Sequence, residues 1–274
     1  MAGHMISLYL LERGHSVFGY SRSKTNLVPS INFSLFDHCQ LKEAIIKADP
    51  DVVVNCVGVL NQTAENNKAE AVYINSYLPH CVASIIKGTE KKLVQLSTDC
   101  VFSGQRGVYR DTDIPDGQTF YDKSKALGEV RDDQNLTFRN SIIGPDISPN
   151  GIGLFNWFMA QKGEINGYTK SIWSGVTTLT LAKAIERATE VGLTGLYQLS
   201  NNNKISKYDL CLLFNNLFRG NQLKINPIEG IVQDKSLIRS EAPFDFFVPS
   251  YEQMVEEMAE WVEQHKILYK HYGL

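Results

Sequence analysis

Short, weakly charged runs of apolar residues alternate along this chain with stretches in which apolar positions recur every three or four residues. Ser16–Tyr20, Ile31–Phe36, Asp51–Val57, Lys92–Ser97 and Leu136–Arg139 have the length and the β-branched and aromatic content of strands. Between them Leu41–Ala48, Asn66–Lys87 and Phe120–Arg131 carry the helical period. Strand–helix alternation of this kind predicts an α/β fold with a doubly wound parallel sheet, its helices on both faces. After Gly144-Pro-Asp146 the texture changes: Gly, Asn and aromatic residues increase, and helical patterns return at Lys207–Phe218 and Tyr251–His265. We therefore expect two lobes, residues 1–145 and residues 146–274. No Gly-, Pro- or Ser-rich linker separates them, and there is no internal repeat.

Composition narrows the function classes. The 274 residues carry a net charge of -3 and no Lys/Arg-rich run, which argues against a nucleic-acid partner. No apolar stretch approaches the roughly 20 residues of a membrane span, and no charged-then-apolar leader opens the chain, so we expect a cytoplasmic protein with no membrane partner. Cys39, Cys56, Cys81, Cys100 and Cys211 are scattered, with no Cys-x-x-Cys pair, and His15, His80, His265 and His271 lack ligand spacing. Neither a disulfide framework nor a metal site is expected.

The chemistry-bearing stretches are Lys92-Leu-Val-Gln-Leu-Ser-Thr-Asp-Cys-Val-Phe-Ser-Gly104 and Phe120-Tyr-Asp-Lys-Ser-Lys-Ala-Leu-Gly-Glu129. In the first, an apolar run stops at Ser97, Thr98 and Asp99, placing hydroxyls at the strand end where open α/β sheets bind their ligands. In the second, Tyr121 and Lys125 lie four residues apart, on one helix face. An ammonium there is expected to favour the phenolate and pull the phenol pKa down toward the working pH.

Ser97-Thr98-Asp99, Val101-Phe102-Ser103-Gly104, Tyr121-x-x-x-Lys125 and Ala126-Leu127-Gly128-Glu129 together resemble the extended short-chain dehydrogenase/reductases, and within them the dTDP-4-dehydrorhamnose reductase branch. The resemblance runs from Met1 to about Ile147 and continues more weakly beyond. It implies a Rossmann-like, NADP-binding lobe over residues 1–145 and a mainly substrate-binding lobe over residues 146–274. Thr98, Tyr121 and Lys125 would be catalytic, with Tyr121 as proton donor and Lys125 also holding the nicotinamide ribose. Asn55-Cys56-Val57-Gly58 would floor the cofactor, Asp37 would meet the adenine or cap the following helix, and Arg139-Asn140-Ser141 would lie beside the nicotinamide. Asp99, Asn140, Trp173 and Thr177, with Thr98, would face the sugar. Trp157, on a helical stretch, is the weaker candidate.

Cofactor choice is read from Gly19-Tyr-Ser-Arg-Ser-Lys24: an acid that would bind the ribose 2'-hydroxyl of NAD is absent, whereas Ser21 and Arg22 suit a 2'-phosphate. NADPH is therefore expected, with NADH as the open alternative. The substrate class implied is a nucleotide-activated 4-keto-6-deoxyhexose, dTDP-4-dehydro-L-rhamnose first and a UDP-linked N-acetylated analogue second, reduced for polysaccharide synthesis. An epimerase of the same superfamily and a non-catalytic binding or regulatory protein on the same fold stay open, as does a homodimer. Cys100 stands where the branch often has tyrosine, and Asp122 where it has glycine. Met1–His15 resembles the family's first helix, with Gly3 matching the last glycine of the dinucleotide fingerprint, unless Gly3-His4-Met5 is a cloning remnant. The first strand and the two earlier glycines have no counterpart, so the chain as given is expected to bind NADPH weakly or not at all.

Overall fold

Helix α1 (Ala2–Glu12) opens the chain, and Glu186 of a later helix secures it, taking hydrogen bonds from Tyr9 Oη at 2.7 Å, Arg13 Nε at 3.1 Å and His15 Nε2 at 3.1 Å. The computed structural model describes residues 1–21, 26–32, 37–240 and 244–274. Strands β1 (Gly19–Ser21) and β2 (Ser30–Asn32) pair in parallel as a sheet of two. Helix α2 (His38–Ala48) then leads to β3 (Val52–Asn55). Helices α3 (Asn61–Asn66), α4 (Lys68–Ala71) and α5 (Leu78–Ile86) follow, a π-helical turn at Val72–Tyr77 joining the last two. Strand β4 (Lys92–Leu96), helix α6 (Phe120–Leu127) and strand β5 (Leu136–Arg139) complete the first half.

The second half holds β6 (Ile142–Ile143), α7 (Leu154–Met159), β7 (Glu164–Tyr168), β8 (Ser171–Trp173), β9 (Val176–Thr177) and α8 (Thr178–Glu190). Then come β10 (Gly195–Gln198), β11 (Ile205–Ser206), α9 (Lys207–Arg219), β12 (Lys224–Ile228), β13 (Gln233–Asp234) and α10 (Tyr251–Gln264). The main sheet is parallel, in the order β10-β5-β4-β3, with Val52 opposite Lys92 and Val94 opposite Leu136. Alternation along β4 sends Leu93 to a cluster with Ile74, Leu78 and Val82, and Val94 and Leu96 to the larger core with Phe138, Phe155, Leu181, Phe214 and Met258. Both faces are thus apolar and covered, as a parallel sheet requires.

The sequence expectation for β5 matches the strand residue for residue, and the α/β parallel architecture is as expected. Three elements differ. The helix expected over Asn66–Lys87 is interrupted by the π turn, and the strand expected at Ser16–Tyr20 begins at Gly19. Helix α6 stops at Leu127 rather than Arg131 because Gly128 lies against the π turn: a Cβ there would stand 1.8 Å from the Asn75 carbonyl oxygen. Residues 33–36, the rest of the expected second strand, lie outside the described residues. Strand β10 and helix α8 were not anticipated.

Candidate active site

The end of β4 and the start of α6 build the site. Thr98 stays extended and caps a 3-10 turn, Asp99–Val101, its Oγ1 accepting from Cys100 N at 3.1 Å and donating to Asp99 Oδ1 at 3.1 Å. Helix α6 starts on a capping box: Thr119 Oγ1 accepts from Asp122 N, and Asp122 Oδ2 accepts from Thr119 N, both at 3.1 Å. Asp122 is therefore the reciprocal cap of this helix. The Asn75 side chain ties the helix to the loop after β3, donating to Val59 O at 2.8 Å and Ser124 Oγ at 3.0 Å and accepting from Val59 N at 2.9 Å. A π turn at a ligand site is a recurrent device for re-aiming such a side chain.

Thr98, Asp99, Tyr121 and Lys125 are all buried. Lys125 Nζ donates to Leu96 O at 2.6 Å, and burial lowers its pKa to about 8 against the opposing charge of Glu129. The phenol of Tyr121 is not depressed. Burial pushes its pKa above the ordinary value, Cys100, Asp99 and Asp122 add to this, and hydrogen bonding to Thr98 opposes it. The expectation that Lys125 sets the tyrosine is corrected here: the ammonium serves the β4 carbonyl, and desolvation governs the phenol. Asp99 is likewise pushed up by burial, opposed by Lys235 and by hydrogen bonds from Thr98, Ser141 and Cys100. Burial raises Cys100 to about 12 and Cys56 to about 12, so both are neutral thiols at neutral pH.

Of the other candidates, Ser141 is tied to Asp99. Ser141 Oγ accepts from Trp173 Nε1 at 2.8 Å, leaving its own hydrogen for Asp99. The neighbouring Asn140 is buried with Oδ1 unpartnered. Gly3 of α1 faces Cys56 after β3, where an added Cβ would make an ordinary contact at 3.6 Å. Val57 and the exposed Gly58 continue that loop. Asp37 is the cap of α2, accepting from Gln40 N at 3.0 Å. Ser21 ends β1, and Arg22 lies outside the described residues. Thr177 is withdrawn from any sugar: it is fully buried, and its Oγ1 caps α8, accepting from Thr180 N at 3.1 Å. Trp157 is 44% exposed on α7, while Phe155 is core.

Two features escaped the sequence reading. The first is a buried ion pair just behind Thr98, with Arg139 Nε and Nη2 on Glu129 Oε1 and Oε2 at 2.7 and 2.8 Å. Ser97 Oγ and Arg131 Nη2 complete the carboxylate at 2.8 and 2.7 Å. The available signal was a charge ending the apolar run Leu136-Thr-Phe-Arg139. The second is the strap Gln233–Ser236, which brings Lys235 toward Asp99. Asp234 N donates to Gly104 O at 2.9 Å, and Leu237 N donates to Ser174 Oγ at 2.7 Å. Gly104, at φ +81°, is required there because a Cβ would lie 2.6 Å from Gln233 and 2.9 Å from Lys235. No sequence signal tied the strap to Thr98.

Among the described residues no His/Cys/Asp/Glu group could hold a metal, and no helix is long and apolar enough to cross a membrane. Residues 2–242 match the family described as the RmlD substrate binding domain. The chain belongs to that family. The resemblance to the dTDP-4-dehydrorhamnose reductase branch is thereby borne out. Among its relatives, the probable low-salt glycan biosynthesis reductase of Haloferax volcanii is 30% identical over 48% of this chain and 46% of its own length. Methionine adenosyltransferase 2 subunit beta of Xenopus laevis is 22% identical over 77% of this chain and 66% of its own length. The chain thus spans between about half and two thirds of these curated relatives. A solved hypothetical dTDP-4-dehydrorhamnose reductase from Sulfolobus tokodaii superposes with a TM-score of 0.76 at 25% identity, covering 92% of this chain and 94% of that one.

Proposed function

We propose that this member of the family is an NAD(P)-dependent oxidoreductase that reduces the 4-keto group of a nucleotide-activated 6-deoxyhexose with NADPH, for cell-surface polysaccharide synthesis. The observation that carries the reading is that Thr98, Tyr121 and Lys125 are all buried where β4 meets α6. Residues 1–145 supply the cofactor side and these three residues, and residues 146–274 mainly receive the sugar. The leading substrate is dTDP-4-dehydro-L-rhamnose, with a UDP-linked N-acetylated analogue second.

The residues present suit a nicotinamide dinucleotide. Asn140 Oδ1 is an unpartnered buried acceptor of the kind a carboxamide N–H satisfies, and exposed Gly58 leaves the loop after β3 open to close approach. Lys125 and Ser141 would hold its nicotinamide half, and Ser21 and Arg22 the 2'-phosphate. When bound, the cofactor supplies hydride to the ketone carbon. Tyr121, kept neutral by burial, gives its phenolic proton to the oxygen that becomes the alkoxide. Thr98 donates a hydrogen bond to the same oxygen, so charge develops against two fixed donors.

The deciding assay is NADPH oxidation against a panel of dTDP- and UDP-linked 4-keto sugars. Stoichiometric NADPH consumption supports the reductase, and sugar interconversion without it would make the protein an epimerase. Tyr121→Phe is expected to lower kcat by at least ~100-fold with NADPH binding nearly intact. The similarity to a transferase subunit favours one second reading, a binding or regulatory subunit, which predicts no turnover on any member of the panel.

A further inference from the structure

We propose that Asp99 works in its protonated form as a positioning residue, turning the Thr98 hydroxyl toward the substrate carbonyl. The inference rests on the ketoreductase reading above and follows from counting hydrogens. Thr98 Oγ1 has one hydrogen and two lone pairs. In the resting site the hydrogen goes to Asp99 Oδ1 at 3.1 Å, while Cys100 N–H, at 3.1 Å, occupies one of the lone pairs. A ketone entering the site needs hydrogens from both Tyr121 and Thr98. The second lone pair of Thr98 is then the one that Asp99 can fill.

What happens next depends on Asp99. An ionised carboxylate accepts only, and charge-assisted bonds are roughly twice as strong as neutral ones, so it would keep the Thr98 hydrogen away from the ketone. A carboxylic acid fills the second lone pair with its own O–H and frees the Thr98 hydrogen for the substrate. Every donor and acceptor is then used.

The surroundings favour the acid. Asp99 is 8% exposed, and burial outweighs the cation Lys235 of the strap. Tyr121 and Asp122 face this corner from α6 and Cys100 shares its turn, while the hydrogen bonds of Thr98, Ser141 and Cys100 favour the carboxylate but are outweighed by burial. The buried cation of α6, Lys125, is turned to Leu96 O, and the turn itself carries no positive charge.

Asparagine can donate an N–H to Thr98 as the protonated acid does, and leucine cannot. The pH dependence of kcat is therefore to be measured for wild type, Asp99→Asn and Asp99→Leu. Wild-type kcat should fall as pH rises through the ionisation of Asp99. Asp99→Asn should stay within ~3-fold of the low-pH wild-type value and lose that limb, whereas Asp99→Leu should lose ~10-fold or more in kcat, the weight of one hydrogen bond. Asparagine as damaging as leucine, or a wild-type profile that stays flat wherever the protein is folded, would overturn the assignment. Carboxyl infrared difference spectra of wild type against Asp99→Asn at neutral pH decide the protonation state without substrate. A lost carboxylic-acid band supports the proposal, and a lost carboxylate band refutes it. Absence of wild-type turnover on the whole sugar panel would instead defeat the ketoreductase reading, leaving the infrared result to stand for Asp99.

Discussion

Two carboxylates lie within one turn of the same hydroxyl-bearing strand end, both buried, and the structure drives them in opposite directions. Glu129 is neighbour to Ser97 and Asp99 to Thr98. Burial pushes both upward, but at Glu129 it is outweighed by the bidentate Arg139, by Arg131 and by Ser97, so its carboxyl is held below the usual range. At Asp99, Lys235 and the hydrogen bonds from Thr98, Ser141 and Cys100 fall short of the burial penalty. Depth alone therefore does not assign a role to a buried acid. A bidentate guanidinium makes Glu129 a fixed strut joining the end of α6 to β5, and the lack of such a partner leaves Asp99 free to exist as an acid.

The strongest way to break this contrast is to give Glu129 the poverty of Asp99. Arg139→Met leaves a buried carboxylate with only the half-exposed Arg131 as its cation and should cost about 3–5 kcal/mol of stability, read by urea unfolding. Adding Glu129→Gln should restore a large part of that loss, because it removes the buried charge and not merely the pair. If the double variant is as unstable as the single one, packing of Arg139 over the Phe102 ring, 5.0 Å from the guanidinium, is the larger contribution. A gentler change sharpens the contrast from the other side. Lys235→Met withdraws the cation that favours ionised Asp99, so the alkaline limb of kcat should move to higher pH. A limb that stays in place would show that Lys235 does not act on Asp99 in the working enzyme.

How much of this contrast was legible beforehand follows from the range of the interactions. Thr98, Tyr121 and Lys125 were readable because their spacing is local: a strand end, and one helix face. Asp122 was read only as a departure from the family, yet its capping box is equally local and could have been found from Thr119-x-x-Asp122. Asn75, Arg139 and Lys235 were not legible as partners. Each acts across 10 to 136 residues of chain, Asn75 on Ser124, Arg139 on Glu129 and Lys235 on Asp99, and only the fold brings them together. The sense of the Tyr121 shift failed for the same reason. A helical i, i+4 pair predicts an attraction, but the depth of the pocket, which no local pattern encodes, makes desolvation the larger influence.

The smallest expected effect is on stability, and its sign separates the two acids. A carboxyl with a raised native pKa binds more protons in the folded than in the unfolded chain between its two pKa values, so stability falls as pH rises through that window. This is the case of Asp99. A carboxyl with a depressed native pKa does the reverse, contributing stability above its unfolded value that is lost as pH falls through the folded one, and this is Glu129. Asp99→Asn removes the first contribution and leaves the second. The variant should therefore match wild type in Tm at acid pH, where Asp99 is protonated in both states, and gain steadily as pH rises through the window before levelling off. Its acid-side loss of stability, carried by Glu129, should remain. Thermal unfolding of the two proteins across pH measures this directly. A stability difference that is constant with pH would mean that Asp99 titrates alike in the folded and unfolded chain, and the contrast between the two carboxylates would then rest on geometry alone.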